Sequence, residues 1–432
     1  MRSFGNFCVE GSRIFAGLLV LYSLPAFGNQ EGGDDGVKEL PKCTLSNDVN
    51  VVLHEDFKMN CLLIGVVLHV GNQDVPPNKF GIIDIIAHNI IPAKMHDALR
   101  RLGITYEVCT GDFCVQILAN INPKRTKDFL DIIYSCLVGI SVENLESYRK
   151  YAATLQQLMT CVAANALDYN IVAGVKFANR YPRSFFSEKY MDAISAQEVE
   201  NFYRTHFQAC PISIIACGAI GFKGLIKMLR GSSFSKLSKR RKYVVPDLQK
   251  LGSYRDITLE NKHMRNGIIY GYLLDAEENK QFGNVFNKLL AHEMFKHFKK
   301  TYPLIMGYEV TDAGISNGRL KLVKLYPRSD VPLASLENAY RLFEKKACSV
   351  EYAPEFFSKI AYEQSVTRRI FLTNLQEAYA AILKACLRGE NIANSEATKN
   401  SQANPTEIKK FLGKVFNKEK IFKITTKFKA DN

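Results

Sequence analysis

Gly81-Ile82-Ile83-Asp84-Ile85-Ile86-Ala87-His88-Asn89-Ile90-Ile91 is the stretch on which the reading of this chain turns. Apolar residues occupy most of its faces and polar ones recur at helical spacing, the pattern of a buried helix. Asp84, Ala87 and His88 stand at i, i+3 and i+4, so they project from one face. Helical zinc sites place two ligands at i and i+4, with a carboxylate nearby to work on metal-bound water. Here the first place is an Asp, the last is a His, and the place beside the last is an Ala. The stretch has the shape of a metal helix without its chemistry.

Together with Val70-Gly71-Asn72-Gln73-Asp74 just before it, this segment resembles the inverted zinc motif of the insulinase/pitrilysin peptidases. The likeness is greatest to the short, two-domain members such as the subunits of the mitochondrial processing peptidase. That family uses His-x-x-Glu-His and a distal Glu ligand. The resemblance puts the first ligand on Asp84, the general base on Ala87 and the second ligand on His88. The distal ligand falls on Gln157 or its neighbour Gln156. Three of the four zinc positions depart from the pattern. Without a carboxylate at Ala87, nothing evident takes a proton from a zinc-bound water. The resemblance therefore implies the fold of a peptidase, and the departures imply no catalytic residue, no bound metal and no cofactor. Zinc held by Asp84 and His88 is the alternative, with Gln157 a poor third ligand because a neutral amide offers little charge.

Outward from the helix, the 432 residues suffice for two ordinary domains after a short leader. A composition 47% apolar and 23% charged is that of a globular protein. Residues 1–28 read as a secretory signal: Arg2 and Arg13 are basic, Ile14 to Phe27 is a short apolar run, and Ala26-Phe27-Gly28 offers a cleavage site. An uncleaved anchor is the alternative. Residues 29–46 read as a flexible linker, 47–230 as a first domain, 231–252 as a basic, solvated linker and 253–432 as a second domain. The mature body is then expected in an extracytoplasmic space such as the bacterial periplasm, with no further membrane span.

The formal charge is +14, and the densest basic run is Lys236-Leu237-Ser238-Lys239-Arg240-Arg241-Lys242. An exported chain rarely meets nucleic acid, so no nucleic-acid partner is expected. Eleven Cys are scattered with no metal spacing. Cys109 and Cys114 flank a turn, where a disulfide and two thiols are both open readings.

In order, Asp48 to Leu53, Cys61 to Val70, Ile104 to Val108, Phe113 to Ile121 and Ile212 to Cys217 read as strands. Helical patterns cover Lys94 to Leu102, Thr126 to Val138 and Val142 to Ala164. Ser195-Ala196-Gln197-Glu198 has capping-box spacing at a helix start. The second half repeats the plan, with strands at Asp256 to Leu259, Gly267 to Leu274, Arg319 to Leu325 and Ile421 to Thr426. Its helices fall at Gln281 to Phe298, Leu336 to Ala347, Glu355 to Arg369 and Leu375 to Leu387. Pro405-Thr406-Glu407-Ile408-Lys409-Lys410-Phe411 echoes Ala196-Gln197-Glu198-Val199-Glu200-Asn201-Phe202. Two diverged α+β copies follow, matching what the resemblance implies: two homologous domains, each an antiparallel sheet packed with helices.

His292-Glu293-Met294-Phe295-Lys296-His297 has one residue too many for a zinc helix. At i and i+5 the two His lie roughly 140° apart, so the segment reads as a helix surface. The resemblance also brings a substrate-positioning Arg/Tyr pair in the second domain. Tyr308 matches the Tyr as a substrate contact, while Thr301 stands where the Arg belongs, with Lys299 and Lys300 close by. The reading is an exported, non-catalytic subunit that binds extended peptides and pairs with an active insulinase-like relative or with itself. A divergent active zinc peptidase and a structural subunit like the core proteins of respiratory complexes are the alternatives.

Overall fold

The computed structural model describes residues 40–149, 194–244, 256–349, 374–388, 405–416 and 422–428, with short interruptions inside the first three ranges. The leader, the loop at Tyr181-Pro182-Arg183-Ser184 and the helical pattern from Glu355 to Arg369 lie outside the described residues.

The first sheet is built from β1 (Lys42–Thr44), β2 (Asn50–Glu55), β3 (Leu62–Leu68), β4 (Thr105–Thr110), β5 (Val115–Ile121) and β6 (Ile212–Gly218), in the order β1-β2-β6-β3-β5-β4. The second contains β7 (Asp256–Asn261), β8 (Gly267–Asp275), β9 (Ile305–Ile315), β10 (Gly318–Pro327) and β11 (Phe422–Phe428), in the order β7-β11-β8-β10-β9. Apart from β1 the two orders are the same, and so are the directions. β2 runs parallel to β6 as β7 does to β11, and every other pairing is antiparallel. The expected repeat is therefore present, and each sheet is mixed by one parallel pair. That pair arises because the last strand of each copy returns through a helix and inserts beside the first.

Helices of the first copy are α1 (Ile82–Asn89), α2 (Ala93–Arg101), α3 (Thr126–Leu137), α4 (Ala196–Phe202) and α5 (Phe222–Gly231). The second copy contributes α6 (Leu333–Ser349), α7 (Leu375–Arg388) and α8 (Pro405–Phe416). α4 and α8, the two segments whose sequences echo one another, each precede the inserted strand. α4 begins with the expected capping box: Ser195 Oγ accepts from the Glu198 amide at 3.3 Å and Glu198 accepts from the Ser195 amide at 2.9 Å. Glu198 also meets Lys79 at 2.5 Å. Lys79 and the Ser195 amide hold its carboxyl down at about 2. Ser195→Ala removes an exposed cap, and a loss of about 1 kcal/mol in urea-unfolding stability is expected; an unchanged midpoint would remove the cap from this account.

β3 and β6 are buried at every position, which explains why Leu62-Leu63-Ile64-Gly65-Val66-Val67-Leu68 does not alternate. A strand covered on both faces needs no polar face. One face packs on the first copy's own helices. The other is covered by α7 of the second copy, whose Leu375, Ala378, Tyr379 and Ile382 meet Val52, Leu63, Val67, Ile215 and Cys217. Each large apolar side chain so buried contributes about 2 kcal/mol. Gly65 leaves the room this needs, because a Cβ there would overlap the Tyr379 hydroxyl and ring edge. The Tyr379 hydroxyl donates to Gln116 Oε1 at 2.9 Å.

Three local expectations are corrected. The end of the 29–46 linker is a strand, β1, drawn into the sheet by pairing with β2. The described part of the 231–252 linker is not a free tether. Phe234, Leu237 and Arg240 are buried while Lys236, Lys239, Arg241 and Lys242 are exposed. Their spacing of three lays one side on the core, where Arg240 Nη1 donates to the Phe207 and Gln208 carbonyls. Finally, α5 and β9 carry glycines, Gly224 and Gly231 in one and Gly307 and Gly314 in the other, which mask their periodicity in the sequence.

Candidate functional site

α1 starts from Gly81, whose φ of 91° lies in the left-handed region that glycine adopts without strain. The helix then packs against β4 and α4, with Ile82, Ile83, Ile85, Ile86 and Ala87 buried. Such a helix is a rigid place from which to present a polar face. At its end the Asn89 side chain donates to the Ile85 carbonyl at 2.8 Å.

Asp84, Ala87 and His88 all lie on α1. Asp84 accepts a hydrogen bond from Thr110 Oγ1 at 2.8 Å. Burial pushes its carboxyl upward, with Thr110 pulling the other way. Ala87 presents only a buried methyl group. His88 lies against the Tyr148 ring with centroids 5.1 Å apart, and burial, then the charge on His96, disfavours its protonation. His96 itself is hydrogen-bonded to the Tyr106 hydroxyl of β4. Gln156 and Gln157 lie outside the described residues.

These groups do not fit a zinc ion. A zinc site uses three or four charged or imidazole ligands, whereas this face offers two, Asp84 and His88, and the distal position carries the neutral amide of Gln156 or Gln157. Among the described residues no three His, Cys, Asp or Glu side chains form a group able to hold a metal. The arrangement can position polar groups beside the edge strand β4, and it offers no base at Ala87. Thr110 is the partner the sequence does not reveal. It reads there as part of a turn, and the structure makes it the last residue of β4.

Elsewhere the candidates scatter. Tyr308 sits on β9 in the second domain, half-buried against Phe298 with centroids 6.3 Å apart, and burial raises its phenol. Thr301, Lys299, Lys300 and His292 lie outside the described residues. His297 is not a plain surface residue: its Nε2 bonds the Ala339 carbonyl at 3.1 Å and its ring packs on Phe343. Cys109 and Cys114 are both thiols, because the register sets Cys109 opposite Gln116. Burial, reinforced by Glu107, pushes the Cys109 thiol up to about 12, so it is no nucleophile at neutral pH.

No family profile and no curated protein matches the chain, but solved structures do. A protease from Helicobacter pylori superposes with a TM-score of 0.75 at 11% identity, over 90% of this chain and 100% of that one. The periplasmic protease PqqL from Escherichia coli gives 0.75 at 11%, over 92% of this chain and 48% of its own, so the present chain spans about half of it. The inactive domain of an M16 peptidase from Pseudomonas fluorescens gives 0.73 at 7%, over 91% and 99%. The fold is that of the M16, insulinase/pitrilysin-like peptidases. Among the described residues no helix is long and apolar enough to cross a membrane.

Proposed function

We propose that this chain is a non-catalytic peptidase-like subunit, exported from the cytoplasm, that holds extended peptides for an active zinc-bearing relative. The observation that carries the reading is Ala87 at the place of the general base, on a helix whose Asp84 is engaged by Thr110. A fold built for peptide chemistry then keeps its surface and loses its reaction. β4 is the outer strand of the first sheet, bonded to β5 on one side, and a peptide adds to such an edge through backbone groups alone. Binding of that kind needs no zinc. The likeness to an inactive M16 domain and to a periplasmic protease supports both halves of the proposal.

Affinity capture of the chain from its native cells, with partners identified by mass spectrometry, tests the pairing. Recovery of a relative with an intact His-x-x-Glu-His is expected. Recovery of the chain alone, or with unrelated membrane subunits, overturns the pairing. Binding is read separately by hydrogen exchange, where an unstructured peptide should slow exchange of the β4 amides and leave β9 unchanged. Zinc-dependent hydrolysis of that peptide, abolished by His88→Ala, would replace the proposal with an active peptidase.

A further inference from the structure

α5 is the one described helix of the first domain whose solvent face carries only cations among its charged residues. Lys223, Lys227 and Arg230 stand at i, i+4 and i+7 and are all exposed, so they form one basic stripe about 10 Å long. Leu225 and Leu229 bury the opposite face. At the start of the stripe lies Phe57, a large apolar side chain that remains 67% exposed. Its ring tip is 3.8 Å from the position a Cβ would take on Gly221, immediately before the helix, and the exposed Lys58 follows it in sequence. Lys236 and Arg241, in the segment after α5, are exposed as well.

The acidic groups nearby keep their charge, and each is held by a partner outside the α5 stripe. Glu55 Oε1 accepts from the Phe222 amide at 2.7 Å and Asp56 Oδ1 from the Lys58 amide at 3.0 Å. Asp48 pairs with Lys239 at 3.5 Å, and Asp131 with Lys127 at 2.8 Å. None of these four pairs uses a cation of the α5 stripe.

We propose that this face lies on a phospholipid bilayer that carries anionic headgroups. Cations in a row are drawn to the negative surface, and an exposed aromatic ring beside them gains by entering the headgroup boundary. A nucleic-acid duplex or an acidic protein would satisfy the cations and leave Phe57 in water.

The experiment is co-sedimentation of the full chain with vesicles of phosphatidylcholine alone or with added phosphatidylglycerol, at low and physiological salt. Anionic vesicles should bind more tightly. Neutralising Lys223→Gln, Lys227→Gln and Arg230→Gln together should weaken that binding on the order of a hundredfold at low salt, about fivefold per cation, and less as salt screens it. Phe57→Ser should weaken it too, while Lys223→Arg with Lys227→Arg should retain it. Thermal melts monitored by circular dichroism confirm that each variant is folded. Equal binding to both vesicle types, or a triple variant that binds as the parent does, overturns the proposal. So does preference for a short DNA duplex over the vesicles.

Discussion

Gly65→Val is expected to detach α7 from the first sheet and to cost on the order of 4 kcal/mol of stability. The added side chain would occupy the space of the Tyr379 hydroxyl and ring edge. Overpacking of this kind costs about 1–3 kcal/mol, and displacing the ring also loses its bond to Gln116, about 1 kcal/mol. Leu375 and Ile382 then lose part of their burial. Total stabilities of folded domains are about 5–15 kcal/mol, so the change takes a large share. Urea unfolding gives the loss, and hydrogen exchange on α7 locates it. Tyr379→Leu in the same chain should recover part of the stability through a non-additive coupling above about 1 kcal/mol. A Gly65→Val chain as stable as the parent would show that α7 does not press on the sheet as described.

His69 should make the fold acid-sensitive. It is buried beside Ser213, with Nε2 and Oγ 2.8 Å apart, and burial lowers its pKa to about 4. In the unfolded chain the same group titrates near 6.5. The unfolded state therefore takes up the proton first as pH falls. The stability His69 supports is whole above about pH 6.5 and is lost as pH drops through 4. A shift of this size amounts to about 3 kcal/mol in all, of which about 2.5 kcal/mol is lost between pH 7.5 and 4.5. Burial raises the carboxyls of Asp74, Asp84, Glu107 and Glu344. These act in the opposite direction, their contribution fading as pH rises through their folded values. Comparing the parent with His69→Gln cancels that background. The variant should be less stable at pH 7.5 and should lose about 2.5 kcal/mol less on acidification; equal losses in the two proteins would put the acid sensitivity elsewhere.

Much of the architecture is legible in the sequence because it is local. Continuous or alternating apolar runs mark most strands, the spacing of Asp84, Ala87 and His88 marks one helix face, and Ser195 with Glu198 marks a helix start. The echo between the segments that became α4 and α8 reveals the repeat, and the matching strand orders complete it. The elements that escaped are those whose glycines break periodicity, α5 and β9, and β1, which is too short to show any.

The candidate site divides along the same line. That Ala87 brings no base is a matter of residue identity, and the sequence alone decides it. What Asp84 does instead depends on Thr110, 26 positions away, and His69 depends on Ser213 at 144. The need for Gly65 arises from Tyr379, which reaches Gln116 across 263 positions. A periodic pattern records that a side chain is buried and on which face. It carries no information about which distant residue fills the space opposite. That choice is made by packing two sheets and their helices together, so the alanine at position 87 is written in the sequence, while the partners of Asp84, His69 and Gly65 are decided only by the tertiary structure.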